Sequence, residues 1–346
     1  MISLVVVNYR SAGMAVEAIR TARAASRETL EVVVVDNSCD EAEAERLRPV
    51  ADTLLVSATN RGYAGAINDA RPYCAGEIVV ITNPDVVFFP GAIDHLAASL
   101  EKPGRAVAGP ALYWDVEQEW ILPPADGRTL ARKFDEILAS RAAFWRARRD
   151  RRRIRERLAF WSLTETTTVR AISGAVMAIR RDVLDATSGF DERFPLYFEE
   201  SDFLRRLERR RLQTVYVPEA RCRHIYNQSA GAERERAAAL YEASERAYWA
   251  KWYGKHAAAV VTALQRAPSP RPVQPCQETW ALPRAGLLIE ASPLPDFPTA
   301  AGHFAKSTTV RVPSEVWERY RDAALYLRAV DPGTATTVAT CVRYRS

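Results

Sequence analysis

Four short apolar runs, each ending in polar residues, set the pattern of the first 85 positions. Ile2-Ser-Leu-Val-Val-Val-Asn8 is rich in β-branched residues; Tyr9-Arg-Ser-Ala-Gly13 breaks it, and a helical pattern follows to about Ala25. Leu30 to Asp36 is a second such run, closed by Asn37-Ser38 and followed by an acidic helical stretch from Asp40 to Arg48. Thr53 to Ser57 is the third, and Ile78 to Thr82 the fourth, ending in Asn83-Pro84-Asp85. Runs that are apolar throughout, rather than alternating, suit strands covered on both faces. Their alternation with helices predicts an α/β domain with a mostly parallel sheet. In such sheets ligands bind beyond the carboxyl ends of the strands, which singles out Asn8 to Ser11, Asp36-Asn37, Asn60 to Asn68 and Asn83 to Asp85.

A helical period returns after Pro195-Leu-Tyr-Phe198. On a helix beginning near Glu200, Phe203 and Leu207 share one face while Asp202 and Arg206 share another. Leu130 to Leu158 spaces Phe134, Ile137, Leu138, Phe144, Trp145 and Ile154 among charges, which predicts amphipathic helices. After Gly231 an Ala/Glu/Arg-rich helix is expected to about Gln265. Arg266 to Pro275 then reads as a stiff Pro-rich linker. Beyond it lie Leu287 to Ile289, Thr308 to Val312 and a hairpin pattern, Leu325 to Val330 and Thr337 to Tyr344 around Asp331-Pro-Gly333. The expected organisation is a large α/β domain over 1–265 with a helical insertion at about 115–162, a linker at 266–285, and a small β-rich module at 286–346.

The 346 residues have room for one large and one smaller domain, and 48% hydrophobic with 26% charged residues describes a substantial core. No run approaches the roughly 18 apolar residues of a membrane span. Met1 leads straight into a strand-like run, which predicts no secretory leader. Five scattered cysteines without a C-x-x-C pair argue against a disulfide framework or zinc site. The expected localisation is cytoplasmic. The net charge of +5 is uneven, with nine arginines between Arg141 and Arg157 against Asp150 and Glu156. Such a run is either a solvated helix face or a surface for an anionic membrane or polyanionic acceptor. No motif supports nucleic-acid binding.

Several of the polar residues at strand ends carry two readings. Asp36 either caps the following helix or accepts hydrogen bonds from a nucleobase. Asn60-Arg-Gly-Tyr-Ala-Gly-Ala-Ile-Asn68 places two glycines beside an arginine at a helix start, which suits close backbone approach and anion binding. It is not a P-loop, and the Rossmann G-x-G-x-x-G is absent. Asp85 is either a turn residue or a ligand for a divalent cation against a diphosphate. Glu199, Glu200 and Asp202 either favour a helix start through its dipole or, held against an aromatic wall, supply a carboxylate able to take a proton from a hydroxyl.

Taken together, Val5 to Arg10, Val35-Asp-Asn37, Asn60 to Asn68, Asn83-Pro-Asp85, Ser173 to Arg181, Gly189-Phe-Asp-Glu-Arg-Phe194 and Glu199-Glu-Ser-Asp202 resemble the family 2 inverting glycosyltransferases, in that family's order. The rhamnosyltransferase and galactofuranosyltransferase group shares the Asn-Pro-Asp form and the Gly-Phe-Asp-Glu turn. The resemblance implies a GT-A nucleotide-diphospho-sugar transferase fold, here with a small β-rich C-terminal appendage. It places Asp36 on the base of the nucleotide sugar, with Asn8, Tyr9, Arg10, Asn60, Arg61, Gly62, Asn68 and Asn83 around the donor. Asn83-Pro84-Asp85 stands where relatives carry an Asp-x-Asp metal motif, which leaves Asp85 as the main charged ligand, with His224 matching a metal-binding histidine. The implied cofactor is Mg²⁺ or Mn²⁺. Glu200 matches the general base, a position where many relatives have Asp. Glu199 and Asp202 flank it and Arg206 follows. Ser173, Gly174, Asp191 and Glu192 fall on the acceptor side.

The reaction this implies is an inverting transfer from dTDP-rhamnose or a UDP-sugar to a hydroxyl of a saccharide, lipid-linked or other acceptor, as in surface polysaccharide or glycolipid synthesis. Peripheral membrane contact and homo-oligomerisation stay open. Two other classes do too: a sugar nucleotidyltransferase, which would release diphosphate, and a non-catalytic sugar-nucleotide-binding protein, which would need no base at Glu200.

Overall fold

A computed structural model describes residues 1–224, 234–265, 274–275, 277–320 and 324–343. In chain order the first elements are β1 (Ile2–Asn8), α1 (Ala12–Ala24), β2 (Leu30–Asp36), α2 (Glu41–Leu47), β3 (Thr53–Val56), α3 (Gly62–Ala70), β4 (Ile78–Thr82) and β5 (Val86–Phe88). Then come α4 (Ala92–Ser99), β6 (Arg105–Tyr113), α5 (Leu130–Arg141), α6 (Ala143–Trp161), β7 (Thr167–Val169), β8 (Val176–Arg180), α7 (Arg181–Ala186), α8 (Glu199–Arg209) and β9 (Gln213–His224). The chain continues through α9 (Arg234–Tyr253), α10 (Lys255–Leu264), β10 (Gln274–Pro275), β11 (Thr279–Ala281), β12 (Leu288–Ser292) and β13 (Ala301–Phe304). It closes with β14 (Thr309–Arg311), α11 (Ser314–Arg319), β15 (Leu325–Asp331) and β16 (Thr336–Arg343). Most of the expected Pro-rich linker, residues 266–273, lies outside the described residues, as does Tyr344 of the expected hairpin.

Two compact units emerge: Met1–Ala111 with Ala125–Gly127 and Thr164–Thr262, and Leu112–Pro124 with Arg128–Leu163 and Ala263–Ser346. The first is built on a nine-stranded mixed sheet in the order β3-β2-β1-β4-β8-β6-β9-β5, with β7 beside β9. The four strands read from the sequence form its parallel half, with β1 between β2 and β4. From β4 to β8 onward the described pairings are antiparallel. Every residue of β1 is buried, as expected of a strand covered on both faces. One core cluster joins Val5, Val33, Ile67 and Ile81 to Met177, Phe190, Phe203 and Leu207, so α3 and α8 pack on the same sheet. Parallel register sets Asn8 beside Asp36 at the carboxyl ends of β1 and β2. On the antiparallel side, Val86 of β5 faces His224 of β9, which brings Asp85 next to that histidine.

The second unit contains a five-stranded sheet in the order β10-β16-β15-β12-β13 and a two-stranded β11–β14 pair. Its β15–β16 pairing is the hairpin expected around Asp331 to Gly333. The helical insertion and the C-terminal strands, read from the sequence as separate parts, share this unit. Ile154, Leu158 and Trp161 of α6 pack against Leu288, Val330 and Ala335. The arginine run divides here. Arg149, Arg153 and Arg157, one turn apart, are buried. Arg149 pairs with Asp150 at 3.1 Å and Asp296 at 3.5 Å, and Arg153 pairs with Glu136 at 3.0 Å. Arg157 and Arg328 both bind the fully buried Glu290. A solvated face or an interaction surface is thus left only to the other arginines.

Candidate active site

Asn8 holds the carboxyl ends of β1 and β2 together. Its amide nitrogen donates to Asp36 Oδ1 at 2.9 Å, to Ser38 Oγ at 3.2 Å and to Glu43 Oε2 at 3.0 Å, while its oxygen accepts from Ser11 Oγ at 2.9 Å. Asp36 Oδ1 also accepts from the Ser38 backbone at 3.0 Å, yet Oδ2 is buried with no hydrogen-bond partner. A buried carboxylate oxygen left bare in this way is costly unless a ligand donates to it. Tyr9 and Arg10 lie beside it, with the Arg10 guanidinium 5.3 Å from the Tyr9 ring centre.

The Asn60–Asn68 stretch forms the entry to α3. Asn60 Oδ1 accepts from the Gly62 backbone at 2.8 Å, and Gly62 takes φ +71°, where a Cβ would run into Pro195. Glycine is required there by both conformation and contact. Arg61 reaches back to Asp69 at 3.1 Å and across to Glu192 at 3.3 Å. Asn68 donates to the Phe190 carbonyl at 2.8 Å and to Glu192 at 3.1 Å, and accepts from the Phe190 backbone at 2.9 Å. The Gly189–Glu192 turn is thereby stapled to α3. Asp191 is tied to Arg193 and to Lys251 at 2.7 Å; burial works against its charge, but these hydrogen bonds outweigh it and hold the carboxyl well below its usual range. Of the acceptor-side residues expected from the sequence, Asp191 and Glu192 are thus engaged in ties within the fold. Ser173 Oγ accepts from the Ala175 backbone at 3.2 Å, and Gly174 lies against the Glu200 side chain.

The three acids of α8 separate into different environments. Tyr197 and Phe198, immediately before the helix, both have left-handed backbone angles, φ +67° and +68°. Such non-glycine conformations cost about 1–3 kcal/mol each and recur at functional sites. They aim Glu199 inward: it is buried, and its Oε2 has no hydrogen-bond partner. Burial and the neighbouring Glu200 charge push its carboxyl pKa well above the ordinary value. Glu200 is half-buried, with Oε1 accepting from Ser201 Oγ at 3.0 Å. Asp202 is fully buried and its oxygens are taken, by Arg206 at 3.0 Å, Trp252 Nε1 at 2.9 Å and Lys251 at 2.5 Å. Arg206 in turn donates to the carbonyls of Thr187 and Gly189. Asp202 and Arg206 thus clamp α8 to its neighbours.

Asn83 donates its backbone N–H to Ala175. Asp85, two residues on, keeps Oδ1 buried without a hydrogen bond, 3.4 Å from His224 Nε2. Among the described residues no group of three or more metal-ligating side chains is assembled. A cation here would find one carboxylate and one imidazole, and oxygens of a diphosphate and water would complete its shell. The donor set fits a hard divalent ion bound together with its ligand.

Tyr63, absent from the candidates drawn from the sequence, ties the parts together. Its hydroxyl donates to the Gly174 carbonyl at 3.2 Å. Its pKa is raised, by burial first and then by the charges of Glu199, Glu200 and Asp85. The available signal was an aromatic between Gly62 and Gly65 at a helix start. Lys251 and Trp252, the partners of Asp202, carried none beyond an aromatic cluster on a late helix.

Asp36 and Asp85, buried and under-partnered beyond the carboxyl ends of a mixed α/β sheet, lie where proteins of this α/β class bind their ligands. A family model described as "Glycosyltransferase like family 2" matches residues 1–243, and the chain belongs to that family. It is 28% identical over 203 residues to the N-acetylglucosaminyl-diphospho-decaprenol L-rhamnosyltransferase of Mycobacterium tuberculosis. That match takes in 52% of this chain and spans 61% of the relative's length. Among solved structures, it is similar to the mannosyltransferase PcManGT from Pyrobaculum calidifontis in complex with GDP-Man and Mn²⁺, at 18% identity and a TM-score of 0.46 over 78% of this chain and 76% of that one. GalNAc-T7 with UDP, GalNAc and Mn²⁺ is similar at 14% identity and a TM-score of 0.46, over 72% of this chain and 50% of that one.

Proposed function

We propose that this chain transfers a sugar from a nucleotide-diphosphate donor, with dTDP-rhamnose the first candidate, to a hydroxyl of a lipid-linked acceptor, inverting the anomeric centre. The observation that carries the reading is the Gly174–Ala175 segment, where Gly174 lies against the Glu200 side chain and the Ala175 carbonyl accepts from the Asn83 backbone, two residues before Asp85. It brings a candidate base near a candidate diphosphate site. Family membership and the likeness to a rhamnosyltransferase support the donor and acceptor classes.

In this reading Asp36 Oδ2 accepts a hydrogen bond from the donor's base. Asp85 and His224 hold a divalent cation, which when bound offsets the charge of the diphosphate leaving group. Glu200 takes the proton of the acceptor hydroxyl as that oxygen attacks the anomeric carbon. It is the one acid of the three that is both half-exposed and not consumed by arginine or lysine. Burial and the Glu200 charge favour the neutral form of Glu199.

The test is Glu200→Gln, which preserves shape and removes the base. Turnover is expected to fall about 10²–10⁴-fold, while nucleotide-sugar affinity by calorimetry stays within a few-fold. Wild-type turnover in Glu200→Gln would move the base elsewhere. Release of inorganic diphosphate from a nucleoside triphosphate and a sugar 1-phosphate, without glycoside formation, would favour a nucleotidyltransferase instead.

A further inference from the structure

Helix α6 carries two arginine stripes with opposite fates. Arg149, Arg153 and Arg157 point into the second unit and are paired. Phe144, Arg148, Arg151 and Arg155, spaced by four, three and four residues, lie along the outer face, and all four are exposed. This outer row runs about 16 Å at the usual helical rise and contains no acid of its own; Arg148 reaches Asp135 of α5 at 3.6 Å. The helix's own acids are drawn elsewhere, Asp150 to Arg149 and Arg328, Glu156 to Arg132 and Arg152. At the N-terminal tip Phe144 is 68% exposed and meets Trp145 edge-on, with the Arg148 guanidinium 5.4 Å from the Trp145 ring centre. On α5, Phe134 and Leu138, one turn apart, are each 38% exposed.

From this surface we propose that the outer face of α6, with Phe144 as its apolar anchor, docks the protein on an anionic lipid bilayer. Charge complementarity selects the partner: a row of exposed guanidiniums, with Asp135 beside only Arg148, matches a plane of anionic headgroups. The aromatics select a bilayer over a nucleic acid. They gather at one end of the row, where a side chain can enter the interfacial layer while the arginines stay among headgroups. They do not alternate with the cations along a groove, as a base-stacking surface would. The docking stands apart from the transferase reading, since none of these residues belongs to the candidate active site.

The experiment is sedimentation of the full chain with phosphatidylcholine vesicles, with and without phosphatidylglycerol. Binding is expected only to the anionic vesicles, weakening as salt rises. The triple variant Arg148→Gln, Arg151→Gln, Arg155→Gln is expected to lose about 150-fold of it. Phe144→Trp should show a blue-shifted emission on the same vesicles, a readout that requires no loss of binding. Equal binding to neutral vesicles, no vesicle binding at all, or an undiminished triple variant would each overturn the proposal. So would a protein that ignores vesicles but binds single-stranded nucleic acid or dimerises through Phe144. Nucleotide-sugar affinity, measured without vesicles, reports on the transferase reading separately.

Discussion

Glu199 and Asp85 each bury a carboxylate oxygen that nothing in the described fold satisfies, and each makes a separate prediction. For Glu199 the folded-state pKa is raised by burial and by Glu200. The folded protein therefore binds this proton more tightly than the unfolded chain does. Stability from it is full below the ordinary value of 4.5 and is lost as pH rises toward the folded value. Glu199→Gln mimics the protonated form, so its melting temperature should match wild type in acid and exceed it increasingly toward neutral pH. A difference that stays flat with pH would mean Glu199 is ionised in the folded protein. For Asp85, replacement by Ala removes the only carboxylate of the proposed cation site. Loss of several kcal/mol of charge stabilisation corresponds to about 10²–10³-fold in turnover. Calorimetry of Mn²⁺ with a nucleoside diphosphate should show weakened cation binding in the same variant, and unchanged binding would remove Asp85 from the site.

At the level of elements, the Gly189–Glu192 turn is held from two sides, by Asn68 on α3 and by Arg206 on α8. Gly189 has φ +71°, and an added Cβ would lie 2.2 Å from Asn68 Oδ1. Gly189→Ala must therefore strain the backbone and push the staple apart. A loss of about 2–3 kcal/mol in urea unfolding is expected; a change under about 0.5 kcal/mol would mean the turn can relax. These cross-ties explain what the chain did and did not disclose. The parallel half of the sheet was legible because Val5 to Val7 and Val32 to Val35 are buried on both faces, which leaves an unbroken apolar run. The antiparallel half was not, because β5 and β7 have three residues each and owe their place to long-range pairing with β9. Local sequence also fixed where Glu199, Glu200 and Asp202 lie along α8. It could not show that Lys251 and Trp252, some 50 positions on, occupy Asp202 and leave Glu200 less encumbered.

Across the whole molecule, sequence order and spatial grouping part company. The helical insertion interrupts the first unit in the chain but completes the second in space, around the buried trio Arg157, Glu290 and Arg328. An arginine run reads as surface because charge seldom goes inside; Glu290, 133 positions after Arg157, together with Asp296 beside Arg149 and Glu136 beside Arg153, reverses that for one stripe of α6. Burial works against the charge of Glu290, but Arg157 and Arg328 outweigh it and hold the carboxyl below its ordinary range. Two guanidiniums thus share one buried carboxylate, with Asp150 3.8 Å from Arg328 as the further acid. Glu290→Gln keeps the volume and removes that charge, leaving both arginines under-compensated. Breaking a buried pair in this way costs about 3–5 kcal/mol, and because the trio anchors α6 to the strands of its unit, chemical denaturation should register most of it. Glu290→Gln, Arg157→Met should recover part of the loss, since the second change removes one stranded cation. The proposed nucleotide site draws only on residues of the first unit, so donor affinity in folded Glu290→Gln should stay at the wild-type value. A loss below about 1 kcal/mol would show that the trio contributes little beyond a surface ion pair, and a parallel fall in donor affinity would show that the two units do not act independently.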